Sequence, residues 1–116
     1  MARFPSRIDS LPARLLPGGL VLREASTFAS RTRGLAGLDE LPGHVGLLIP
    51  RCRSVHTFGM RFPIDVIFLG AGGRVVRVAQ RVGPRRVLGS RAARAVVEVR
   101  ADAAARFIAA GVGAAS

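Results

Sequence analysis

Residues 64–69, Ile-Asp-Val-Ile-Phe-Leu, run directly into Gly-Ala-Gly-Gly at 70–73 and then into Arg-Val-Val-Arg-Val-Ala-Gln at 74–80. A short, almost wholly apolar run bounded by turn residues reads as a strand covered on both faces. The glycines supply the positive φ angles that a tight turn demands, and the return stretch alternates as a strand does. Together the three pieces predict an antiparallel hairpin with Val66 and Phe68 in the core.

The remaining elements follow from punctuation. Gly19 to Arg23 reads as a strand, and Ser26 or Thr27 as the cap of a short helix running to about Arg33 and ended by Gly34. That helix is rich in Ser, Thr and Arg, so contacts from Phe28 and Leu35 are needed to hold it. Leu35 to Gly43 is a loop around Pro42, and Val45 to Ile49 is a strand stopped by Pro50. Val87 with Leu88, and Ala93 to Arg100, give two more strands. Asp102 then suits the N-cap of a last helix that carries Phe107 and Ile108 and ends at Gly111. The order β-α-β-β-β-β-β-α, with short glycine turns, predicts an α+β fold. Its expected form is a mostly antiparallel, curved, barrel-like β-sheet with two short helices in a single domain. Residues 1–17, broken by Pro5, Pro12 and Pro17, read as an irregular lead-in, 18–112 as the domain, and 113–116 as a tail.

Composition limits the function classes. With 116 residues, 49% of them hydrophobic, the chain fits one domain with its own core. One cysteine excludes an internal disulfide framework and a multi-Cys zinc site. No signal-peptide pattern and no apolar run of membrane-spanning length is found, so a cytoplasmic location and no membrane span are expected. The formal charge of +11 would ordinarily suggest nucleic acid. However, every basic residue is Arg, the arginines are scattered, and Phe residues stand isolated rather than spaced for base stacking. A solvated basic surface is the preferred reading.

The unusual side chains gather between two apolar runs, in Arg51 to Asp65. Cys52, Arg53, His56, Thr57, Met60, Arg61 and Asp65 are the candidate binding residues, with Arg51 beside them. Cys52 and His56 would make a nucleophile and base if the neighbouring arginines lowered the thiol. They also lie four apart, as half a metal site would, but only Asp65 is near to add a ligand, so no metal and no cofactor are expected. Asp65 opens an apolar strand, where a carboxylate must be paired. An arginine lock, with Arg61 nearest in sequence, is the expected partner. Met60 and Phe62 read as core.

Arg-Thr-Arg-Gly-Leu-Ala-Gly at 31–37, Gly-Leu-Leu-Ile-Pro at 46–50, Ser-Val-His-Thr-Phe-Gly-Met-Arg-Phe-Pro-Ile-Asp-Val-Ile-Phe-Leu at 54–69, Gly-Gly-Arg-Val-Val-Arg-Val at 72–78 and the closing Ala-Val-Val-Glu-Val-Arg-Ala-Asp-Ala-Ala-Ala-Arg-Phe at 95–107 resemble the bacterial family called domain of unknown function 192, or uncharacterised ACR. The resemblance covers residues 18–112 and implies a compact, barrel-like, mostly β fold with no established activity. Many members carry an aromatic followed by Met-Lys-Asn-Thr where this chain has His56-Thr57-Phe58-Gly59-Met60. It therefore resembles a His-Thr-Phe-Gly-Met variant, to which no role of that Lys or Asn transfers. Members also tend to finish with a last strand, where this chain ends Gly-Val-Gly-Ala-Ala-Ser.

No paired acid and base, phosphate-cradling loop or Ser/His/Asp set is present. A noncatalytic binding or interaction module, taking a protein or small ligand, is therefore expected ahead of a Cys/His-dependent enzyme. An arginine-mediated nucleic-acid association comes third.

Overall fold

The computed structural model describes residues 7–114, except for the side chains of Phe28 and Thr32. The support expected from Phe28, and residues 1–6 and 115–116 of the lead-in and tail, fall outside the described residues. The elements are β1 (Ala13–Leu16), β2 (Leu20–Glu24), α1 (Phe28–Arg33), β3 (Val45–Pro50), β4 (Ser54–His56), β5 (Ile64–Leu69), β6 (Val75–Val82), β7 (Val87–Gly89), β8 (Ala95–Arg100) and α2 (Ala104–Ala109).

Six strands form one sheet in the order β1-β2-β3-β8-β5-β6, and β4 pairs with β7 in a separate ribbon. The β5–β6 hairpin forms as its residues predict. Val66 and Phe68 are fully buried, and the turn holds Gly72 at φ 74° and Gly73 at φ 78°. The sheet is open rather than barrel-like: among the described residues β1 and β6 are its two edges, and no closed barrel is found.

The mostly antiparallel expectation holds for every pairing of the sheet but one: β2 and β3 run parallel, with Val21 opposite Val45 and Glu24 opposite Leu48, which makes the sheet mixed. The chain between them crosses over by way of α1, a βαβ unit whose helix is too short to announce itself by periodicity. Residues 13–16, read as irregular, pair with β2 as β1.

The sheet buries a core on each face. Ile64, Val66 and Phe68 of β5 face one core with Leu47, Ile49 and Val96; Ile67 and Leu69 face the other with Val97, Val99 and Phe107. Residues two apart share a face, so Glu98 of β8 shares the Val96 side. It lies opposite Leu47 on one neighbour and Val66 on the other. The α1 crossover and the β4–β7 ribbon cover that side, and α2 covers its opposite.

The caps explain the helix positions. Thr27 accepts from the Ser30 N–H while the Ser30 hydroxyl accepts from the Thr27 N–H, a reciprocal pair that starts α1. Gly34, at φ 51°, ends it and donates to the Ser30 carbonyl. Asp102 does not cap α2. It sits at φ 72° and pairs with Arg81, leaving the helix start to a carboxylate from elsewhere.

That carboxylate is Asp65, which is fully buried. Pairing in the hairpin passes from Ile64 opposite Val82 to Val66 opposite Ala79, so Gln80 and Arg81 together face Asp65 in a bulge. The bulge turns the Arg81 N–H onto Asp65 Oδ1 at 2.9 Å, and the Ala104 N–H at the start of α2 donates to Oδ2 at 3.1 Å. The expected arginine lock is therefore absent. Arg61 instead pairs with Asp39 at the surface, and backbone N–H groups satisfy Asp65.

Candidate functional site

Between α1, β3, β4 and β8 lies a cavity of about 170 Å³. Leu35, Ile49, Val55 and Met60 give it apolar walls, and Cys52 lines it beside them. Arg33, Ser54 and His56 are exposed lining residues and mark its mouth. Glu98, only 3% exposed, marks its depth.

Local geometry places each wall. Arg31 donates from Nε to the Pro50 carbonyl at 3.0 Å and from Nη2 to that of Arg51 at 2.8 Å, pinning the turn where Arg51 takes φ 50°. The Cys52 N–H donates to the Arg94 carbonyl, and the thiol to the carbonyl of Ser54 at 3.1 Å. Both hold Cys52 against the cavity. Gly34 closes the helix end over Glu98: a Cβ built there would lie 3.0 Å from Glu98 Oε1. Any larger residue would strain the backbone and press on the carboxyl.

Glu98 governs the electrostatics. Its Oε1 is buried and has no hydrogen-bond partner among the described residues. Burial pushes the carboxyl up to about 7, because a charge there loses its hydration. Burial is also the main cause that raises the Cys52 thiol, with Glu98 adding to it, outweighing the lowering by the Ser54 backbone and by Arg31. Cys52 is therefore a thiol at neutral pH.

The structure divides the sequence candidates. Cys52, His56 and Met60 meet at the cavity. Thr57 is fully buried and serves the ribbon: its hydroxyl donates to the Gly83 carbonyl at 2.7 Å and accepts from the Arg86 N–H at 2.8 Å. Arg53 is exposed and does not line the cavity, Arg61 is held by Asp39, and Asp65 faces α2 through the other side of the sheet. Glu98, Arg31, Arg33 and Gly34 were not singled out as site residues from sequence. The signal for Glu98 was present, since a lone carboxylate in Ala-Val-Val-Glu-Val is the same anomaly that drew attention to Asp65. Among the described residues, no three of His, Cys, Asp and Glu gather as a metal requires. Nor is any helix long and apolar enough to cross a membrane.

A small mixed-sheet α+β domain with a buried carboxyl at a cavity against its sheet is the class these features define. The chain belongs to the domain of unknown function 192, the uncharacterised ACR family, whose model matches residues 18–112. It is similar in fold to a protein of unknown function from Novosphingobium aromaticivorans, with 22% identity, a TM-score of 0.65, and 91% of this chain and 93% of that one covered. A provisionally named transcription regulator from Sinorhizobium meliloti is similar too, with 20% identity, a TM-score of 0.67, and 87% and 86% covered. No curated protein matches the chain.

Proposed function

We propose that this domain is a noncatalytic binding module whose site is the Glu98 cavity, with Cys52, His56 and Met60 contributed by the 51–65 segment. The observation that carries the reading is the partnerless buried oxygen of Glu98. A buried polar atom left without a partner costs about 1–3 kcal/mol, and a structural role for it would require satisfaction. A ligand that donates to it removes that cost on binding.

The raised Cys52 thiol weighs against the nucleophile reading, because attack needs a thiolate. Arginine-mediated association with nucleic acid has only the overall charge behind it. It is separable by salt, since phosphate-driven binding falls steeply as salt rises.

The test is a thermal-melting screen of single-ring heterocycles and aromatic acids against the full chain and against Glu98→Leu. A ligand at 100 times its Kd stabilises by about 2.7 kcal/mol, which a melt resolves. The expected result is a set of compounds that raise the melting temperature of the natural chain and leave Glu98→Leu unmoved. A screen in which nothing discriminates the two proteins overturns the reading.

A further inference from the structure

We propose that the cavity takes a pyrimidine-class ring, with its N–H-bearing edge against Glu98 and any phosphate it carries directed outward to Arg33. This rests on the ligand-binding reading above and names the chemistry of the occupant.

Four observations converge on that class. First, Glu98 Oε1 has no partner, so the occupant brings an N–H or O–H donor to the deepest point. Second, a dry cavity of about 150 Å³ holds benzene; at about 170 Å³ this one encloses a single six-membered ring, and the second ring of a purine would have to extend toward its mouth. Third, the walls of Leu35, Ile49, Val55 and Met60 suit flat apolar faces rather than a hydroxyl-rich sugar. Fourth, Arg31 and Arg33 line the cavity in a chain of formal charge +11, which disfavours a free ammonium and favours a ligand with an acidic tail.

The edge chemistry agrees. A carboxyl that titrates near neutrality presents an O–H donor beside a carbonyl acceptor in its protonated form. That pair complements the ring nitrogen and exocyclic amine of cytosine, and the ionised form still accepts from the amine. At the mouth, the exposed His56 ring lies 5.9 Å from that of Phe58, a surface on which a flanking sugar or base could rest.

The test is calorimetric titration of the full chain with cytidine monophosphate. The comparison ligands are phenyl phosphate, which has a matching ring and charge but no N–H edge, and adenosine monophosphate, which has two rings. A short oligo-dC strand distinguishes a free nucleotide from an unpaired base in a chain. Cytidine monophosphate or oligo-dC is expected to bind at least about tenfold tighter than either comparison ligand. Glu98→Leu should weaken that binding by about 10- to 100-fold, the loss of a hydrogen bond to a carboxyl, while Arg74→Ala, at the far hairpin turn, leaves it unchanged. A melt confirms that Glu98→Leu folds.

Tighter binding of oligo-dC with the same Glu98 dependence assigns the base to a strand. Binding of phenyl phosphate or adenosine monophosphate as tight as the pyrimidine, or pyrimidine binding that survives Glu98→Leu, overturns the proposal. So does absence of binding by either pyrimidine ligand. If other single-ring compounds still distinguish the natural chain from Glu98→Leu, the binding-module reading survives that failure.

Discussion

Asp65 and Glu98 are carboxylates on neighbouring antiparallel strands of one sheet, both shut away from solvent, and they face opposite sides. Asp65 receives two backbone N–H groups, one from a bulge in β6 and one from the start of α2. Glu98 receives none on Oε1 and borders a cavity. The first holds three elements together, and the second leaves the fold with an unmet requirement. Burial is common to both carboxylates, and what separates them is whether the fold satisfies the group.

Removing Asp65 should have the largest effect. Asp65→Ala leaves the Arg81 N–H unpaired in a part-buried bulge and the Ala104 N–H unpaired and buried. Hydrogen bonds to a charged group contribute about 1.5–3 kcal/mol each, so a loss of roughly 3–6 kcal/mol is expected in chemical denaturation. Hydrogen exchange at Ala104 should accelerate with it. A variant as stable as the natural chain would erase the contrast with Glu98.

Glu98 should behave in the opposite sense. Below its ordinary value of 4.5, the folded and unfolded chains are both protonated there, and the group contributes nothing to pH dependence. Between that value and about 7 the unfolded chain releases its proton while the folded chain keeps it, so stability falls as pH rises, then levels off. The total fall is roughly 3 kcal/mol at about 1.4 kcal/mol per pH unit. Glu98→Gln should flatten this limb and be the more stable protein at pH 8. Melting curves from pH 4 to 8 test it, and an unchanged slope would show that Glu98 is solvated.

The smallest effect belongs to Arg61. Its pairing with Asp39 joins two exposed side chains, and such pairs are worth about 0–1 kcal/mol. Arg61→Ala should move the denaturation midpoint barely, and a large loss would restore a structural role to the arginine.

The same contrast explains what was legible in the chain. The β5–β6 hairpin, the Val45 strand and the Thr27 cap could be read because each is written in contiguous residues. The burial of Asp65 could also be read, from its apolar neighbours. Its partners could not, because a bulge N–H and a helix-start N–H carry no side-chain signature. Glu98 carries the same apolar-neighbour signal as Asp65, but Arg94 and Arg100 at the ends of its run weaken it. Strands β1 and β4 were missed for different reasons: prolines punctuate the first, and the second is too short to show a period. Thr57 looked like a ligand contact by its company in the loop, yet it belongs to a ribbon formed only when Val87 to Gly89 arrive from far along the chain.

The hydrogen bond from Ala104 to Asp65 spans 39 residues of sequence, and this fixes when the last helix forms. A six-residue helix has too few internal bonds to persist alone, so α2 waits for the sheet to present its cap. Docking of the C-terminal helix is therefore expected to follow formation of the sheet. During synthesis, Asp65 leaves the ribosome well before Ala104 and must stay hydrated until the helix docks. A chain interrupted just ahead of Ala104 would hold a nearly complete sheet with one carboxylate and the Val97 side of its core still open to water, a form that a quality-control protease could distinguish from the finished protein.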